Sequence, residues 1–256
     1  MTIHEFGKEN KEVLVMFHPI GVWWDVFEYV IPELSEHFHL IIPAIPGMDP
    51  EVPLRDFSSV EEIAEEMENW LHSKGHNHVR GLYGCSMGGA LVMRMLADRV
   101  IRPDIAVIDG GITPYQLPKP VTYLIGIKDF CMTIAGKYMS VKALSSVFDP
   151  DKYSSEDIVY IKKVLDSMSI RTIWRGFYST NNYSMPVYPV RTGAHIEYWY
   201  GEDEKSARKW DIEYVRKMFP AVVFRENKGQ DHAEFFTLHP KEFCRELLYL
   251  LSHPSE

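Results

Sequence analysis

One short segment of this 256-residue chain has the residue types and spacing of an activated nucleophile. Gly84-Cys85-Ser86-Met87-Gly88 reads G-x-S-x-G. A serine hydroxyl is a weak nucleophile until a neighbouring base takes its proton. It must also stand clear of the surrounding backbone, which requires a tight turn with strained dihedrals. Glycines two positions to either side let neighbouring elements approach such a turn closely. A helix beginning just after the serine would aim its free N–H groups at developing negative charge. Five residues alone are a weak signal, and Ser86 could simply cap that helix.

The base needs a partner of its own to orient it. The chain has 11 histidines. His232, in Lys228-Gly229-Gln230-Asp231-His232, falls in a loop between an apolar strand and the last helix, a suitable place for a proton shuttle. Carboxylates follow two other strands. Glu202, Asp203 and Glu204 come after Ile196 to Tyr200, and Asp109 comes after Ile105 to Ile108. Spacing leaves the acid open among them, because all three of the cluster could instead cap the helix that follows.

The elements that must position these groups can be read from periodicity. Val13 to Phe17, Phe38 to Ile42, Val79 to Tyr83 and Ile105 to Ile108 are short, largely apolar runs ending at Pro or Gly turns. Helical spacing separates them. Trp24, Phe27, Val30, Ile31 and Leu34 form one stripe, weakened by Pro32. Ile63, Met67, Trp70 and Leu71 form another, capped by Ser58 or Ser59 and stopped at Gly75. The third runs from Ala90 to Asp98. Apolar strands alternating with helices predict a parallel sheet covered on both faces. The rhythm breaks between about Pro114 and Pro189. There, helices are expected through Ile158, Ile161 and Leu165, capped by Ser154 or Ser155, and through Ile170, Ile173, Trp174 and Phe177. It returns with Ile196 to Tyr200, a helix from Ser206 to Met218, a strand from Val222 to Phe224 and a helix from Pro240 to Leu251.

With these motifs in this order, the chain resembles the α/β-hydrolase superfamily, and within it the capped serine hydrolases of esterase type. The resemblance implies an α/β fold with a mostly parallel central sheet flanked by helices. Residues 1–114 and 191–256 would form the core, and 115–190 a helical cap insertion. It also implies the chain order nucleophile, acid, base, hence Ser86 and His232 in those roles. Relatives usually show Gly-x-x-Asp after the strand, which aligns Glu204 with the acid. Asp203 is one residue out of register, and Asp109 is the alternative because some relatives carry the acid after the preceding strand. The oxyanion donors would be the amides of Met87 and Ile20. In the turn His18-Pro19-Ile20, proline replaces the usual glycine and has no N–H to give. His18 reads best as a structural residue of that loop and only weakly as part of the pocket. The stripe Trp174, Phe177 and Tyr178 reads as cap packing, with a weak claim on the pocket by position.

The activity so implied is hydrolysis of an ester or related acyl bond. Met and aromatic content in the insertion suggests a small to medium hydrophobic substrate. Two other activities stay open on the same fold: carbon–carbon bond hydrolysis or hydroxynitrile cleavage, and ligand reception without turnover. No cofactor is implied.

Composition bounds these readings. Lys and Arg number 27 against 36 Asp and Glu, a net charge of −9, which argues against nucleic acid as a partner. Cys85, Cys131 and Cys244 are too few for a disulfide framework, and Cys85 reads as packing. No apolar run approaches membrane-spanning length, and the first residues are polar, so no membrane association and a cytoplasmic location are expected. His37-x-His39 and His76-x-His78 lack a third ligand, so no metal site is expected. Gly84 to Gly89 has neither P-loop nor dinucleotide spacing. A monomer or homodimer binding a small molecule fits all of this.

Overall fold

The computed structural model describes residues 1–253. The chain runs through β1 (Thr2–Phe6), β2 (Val13–Phe17), a 3₁₀ turn (Trp24–Phe27), α1 (Ile31–Leu34), β3 (His39–Ala44), α2 (Val60–Ser73), β4 (His78–Cys85), α3 (Met87–Asp98) and β5 (Arg102–Asp109). Four helices follow without a strand: α4 (Lys119–Tyr138), α5 (Val141–Ser145), α6 (Ser155–Ser167) and α7 (Ile170–Thr180). The alternation resumes with β6 (His195–Gly201), α8 (Lys209–Met218), β7 (Val223–Asn227), α9 (Glu234–Leu238) and α10 (Pro240–Ser252).

The strands form one sheet in the order β1-β3-β2-β4-β5-β6-β7. All neighbours are parallel except β1, which pairs antiparallel with β3 from Thr2↔Ala44 to Phe6↔Leu40. Sequence reading passed over β1 because its side chains are half-buried and partly charged, as befits an edge strand. The central strands are buried along almost their whole length, and the two-residue alternation sorts their side chains to opposite faces. In β2, Val13, Val15 and Phe17 join a core with α2 and α3 residues such as Ile63, Met67 and Leu91. Leu14 and Met16 join the opposite core with Leu34, Phe243 and Leu247.

Several local signals act as expected. Ser59 caps α2 by accepting the Glu62 N–H at 3.2 Å, and Gly75 lies beyond the helix at φ +80°. Ser154 and Asp157 form a reciprocal capping box on α6. Other boundaries move for physical reasons. Pro32 confines the first apolar stripe to a 3₁₀ turn and one short helix. The helix expected from Ser206 starts at Lys209, because residues 202–208 turn around Glu204 and the Arg208 N–H donates to the Glu204 carbonyl at 3.0 Å.

Strand order locates a crevice. From β2 the chain passes to β3 on one side, and β4 and β5 then build outward on the other. The loops leaving β2 and β4 therefore diverge above the register pair Phe17↔Gly84. Ligands in open α/β sheets bind at the carboxyl ends of strands where the order reverses.

Candidate active site

Ser86 sits at that point, between β4 and α3. Its backbone has φ 56° and ψ −114°, a conformation a non-glycine residue adopts only when the surroundings force it. The forcing contacts are visible. The Ser86 N–H donates to the Asp109 carbonyl at 2.9 Å, and the Ser86 carbonyl accepts from Ala90 and Ile112, each at 3.2 Å. The flanking glycines are sterically required. A β-carbon on Gly84 would stand 2.2 Å from the Gly88 carbonyl oxygen, and one on Gly88 would stand 2.2 Å from the Phe17 carbonyl oxygen. Ser86 is the N-cap of α3 yet makes no side-chain cap bond, so its hydroxyl is not used in closing the helix.

Three acidic residues follow β6, and their neighbours divide the work. Glu202 accepts the Gly229 N–H at 3.0 Å and pairs with Lys228, steadying the loop that leads to His232. Asp203 is exposed, with its own N–H donating to the Gln230 carbonyl at 3.0 Å. Glu204 turns inward and is only 5% exposed. Its Oε2 lies 2.7 Å from His232 Nδ1, and its Oε1 accepts the Gly201 N–H at 3.1 Å. The Arg208 guanidinium stands 3.3 Å from Oε2 and also pairs with Asp211 at 3.1 Å. Burial alone would push the Glu204 carboxyl up. The His232 bond and charge, the Gly201 amide and Arg208 outweigh it, so Glu204 is held below the usual range and stays ionised. An ionised acceptor on Nδ1 places that nitrogen's proton toward Glu204 and leaves Nε2 as the free base.

Asp109, the other candidate, is engaged elsewhere. The Tyr83 hydroxyl donates to its Oδ2 at 2.6 Å. Full burial drives its carboxyl up to about 7, with the Glu204 charge adding to the rise, so near neutrality it is partly protonated. A group in that state is a poor partner for an imidazolium.

Ser86, Met87, Ile20 and His232 line one cavity of about 730 Å³, floored by the sheet and walled by Pro19, Val22, Ile112, Leu117, Ile125 and Phe177. The Met87 N–H is the first of α3 and so has no intrahelical acceptor. The Ile20 side chain is held by α7, because a β-carbon on Gly176 would stand 2.5 Å from Ile20 Cδ1.

Three weak pocket candidates do not line this cavity. His18 is sealed in its loop at 0% exposure, with Nδ1 bonded to the Pro19 carbonyl at 2.9 Å and Nε2 accepting the Ile45 N–H at 3.2 Å. Burial lowers its ring to about 4, so it remains neutral and structural. Trp174 and Tyr178 stack on each other at 5.5 Å and meet Tyr123 of α4, so their rings bind the helices together. Only Phe177 of that stripe faces the cavity. Sequence reading missed Arg208, Asp211 and Asp129, which also line it; Arg208 is four residues past Glu204 and could have been found by that spacing. Among the described residues, no group of three or more His, Cys, Asp or Glu is placed to hold a metal, and no helix is long and apolar enough to cross a membrane.

Solved structures share this architecture along their whole length. A putative alpha/beta hydrolase family protein from Desulfitobacterium hafniense aligns with a TM-score of 0.76 at 18% identity, covering 98% of this chain and 100% of the other. MenH from S. aureus aligns with a TM-score of 0.76 at 14% identity, covering 100% and 98%. An esterase described as from a marine microorganism aligns with a TM-score of 0.68 at 17% identity, covering 97% and 98%. At such identities the likeness establishes the fold alone. No curated protein matches by sequence. The alpha/beta hydrolase family matches residues 14–246, nine-tenths of the chain. On that match, and on the sheet, crevice and Ser86 turn just described, the chain belongs to the alpha/beta hydrolase family.

Proposed function

We propose that this hydrolase is a serine hydrolase that cleaves an ester or related acyl bond of a small to medium hydrophobic substrate. The observation that carries the proposal is the 2.7 Å bond from His232 Nδ1 to a buried, ionised Glu204, opening on the same cavity as Ser86.

In this reading the Ser86 hydroxyl attacks the acyl carbon while His232 Nε2 accepts its proton. The carbonyl π electrons move to oxygen, where the Met87 and Ile20 amides stabilise the negative charge. Collapse of this intermediate expels the alcohol, which takes the proton back from His232. Water then attacks the acyl-enzyme with His232 again as base, releasing the acid and free Ser86. Glu204 stays ionised throughout and stabilises the imidazolium. The largely apolar wall supports a hydrophobic acyl or alcohol group, and the volume suits a ligand of modest size. The helices α4 to α7 act as a cap, since Leu117, Ile125, Phe177 and Thr180 from this region line the cavity.

A fluorophosphonate probe tests the proposal. Ser86 should be labelled, labelling should vanish in Ser86→Ala, and p-nitrophenyl esters of short to medium acids should be turned over. Absence of labelling in the folded protein would sink it. Labelling without turnover of any ester would move the reaction to another bond type on the same triad.

A further inference from the structure

The loop that carries His232 is pinned from outside the core. Lys152, between α5 and α6, places its Nζ 2.8 Å from Oε1 and 3.1 Å from Oε2 of Glu234. Glu234 is the first residue of α9, two positions beyond His232, and it is only 4% exposed. Its Oε2 also accepts the Asp231 N–H at 2.8 Å. Between them, Ala233 is held at φ +63°, left-handed backbone that an alanine adopts only under constraint. The Asp231 carboxylate folds back on the His232 N–H at 2.7 Å, and the Thr237 hydroxyl donates to the Ala233 carbonyl at 2.8 Å.

The backbone on both sides of His232 is thus fastened to one carboxylate. A carboxylate so removed from water needs a cation to keep its charge. Lys152 is the one ion-pair partner of Glu234 among the described residues. The His232 ring itself is a third exposed and, among the described residues, is bonded only through Nδ1. The aim of Nε2 therefore depends on the strained turn beneath it.

We propose that Lys152 is a positioning residue for the reaction: through Glu234 it fixes the Asp231–Ala233 turn and so the aim of His232 at Ser86. This rests on the reading of His232 as the base for Ser86. It makes the chemistry of the core conditional on how the segment between α5 and α6 is seated, because the cation that completes the histidine loop comes from that segment.

The test compares the wild-type protein with Lys152→Met, Lys152→Arg and the double variant Lys152→Met/Glu234→Gln. The rate of fluorophosphonate labelling and kcat and KM on a p-nitrophenyl ester are measured below the melting temperature of every variant. Lys152→Met should slow both labelling and kcat by roughly tenfold or more with KM little changed, as expected when a catalytic group is misaimed. Lys152→Arg should retain most of the rate. The double variant should regain much of it, since the glutamine oxygen still accepts the Asp231 N–H and no charge is left buried. Wild-type labelling and kcat in folded Lys152→Met would overturn the proposal, as would a loss that the double variant leaves in place. If wild-type Ser86 itself is not labelled, the serine-hydrolase reading falls, and this one with it.

Discussion

Gly110 lies against the ring of His232 so closely that a β-carbon on it would stand 2.8 Å from Nδ1 and 3.1 Å from Glu204 Oε1. The residue has φ +54°, and its N–H donates to the Trp199 carbonyl at 2.8 Å, so the backbone is fixed beneath the pair. Gly110→Ala should therefore strain the backbone and push the imidazole off Glu204. The expected result is a loss of kcat on the order of 100-fold in protein that still folds. Steady-state kinetics beside circular dichroism checks this, and an unchanged kcat would mean that the ring has room the geometry does not show.

The three carboxylates raised by the sequence should separate cleanly on mutation. Glu204→Gln leaves the shape but removes the ionised acceptor, and a loss of roughly four orders of magnitude in kcat is expected. Asp203→Asn should act like wild type, because that side chain faces solvent. Asp109→Asn should have a small effect on rate, since the Asp109 carboxyl bonds Tyr83. A loss at Asp109 larger than at Glu204 would reverse the assignment of the acid.

Asp109 has a different signature in stability. Its carboxyl is raised by burial to about 7 from an ordinary 3.8, and that of Glu68, on α2, is raised by burial to about 8 from 4.5. In each case the folded state binds a proton that the unfolded state has already lost. Folding is then penalised progressively as pH rises from the lower to the higher value. Asp109→Asn and Glu68→Gln should thus be more stable than wild type at pH 9, with the advantage shrinking toward pH 4. For Asp109 the swing is a few kcal/mol. Urea unfolding of each variant across this range measures it. A stability gain equal at pH 4 and pH 9 would rule out titration as its source.

Asp129 of α4 is a cavity-lining carboxylate without an ion pair among the described residues, whereas Arg208 is neutralised by Glu204 and Asp211. Burial raises its carboxyl, and its charge reaches Tyr115 on the same wall. An ester bearing a carboxylate near the acyl carbon should be a poor substrate. Asp129→Asn should improve kcat/KM for such an ester severalfold relative to its neutral analogue. Equal effects on both esters would show that the charge does not reach the substrate.

The sheet was legible in the sequence because its central strands are buried on both faces and so read as short, mostly apolar runs. The edge strand β1 and the 20-residue helix α4 were not. β1 has every side chain half-buried, with no buried face to mark it, and α4 carries apolar residues such as Leu124 and Met132 on its exposed side, which blurs its periodicity. The turn bearing Ser86 could be read from glycine spacing, since those glycines meet backbone atoms that any side chain would displace. The acid could not be decided so simply. Glu202, Asp203 and Glu204 are chemically alike, and their different partners come from the turn around Gly201, where a β-carbon would stand 2.2 Å from the Gln230 carbonyl oxygen. Lys152 lay beyond any motif, because its partner is 82 positions away.

The helices α4 to α7 leave the sheet after β5 and return to it at β6, two strands that are direct neighbours. Ser86, His232 and Glu204 all lie outside this excursion. If the proposed function holds, insertions, deletions or substitutions among α4 to α7 can alter the cavity wall without touching Ser86, His232 or Glu204. Lys152 would be the exception, a single point at which a change in diet must be reconciled with the machinery that does the digesting.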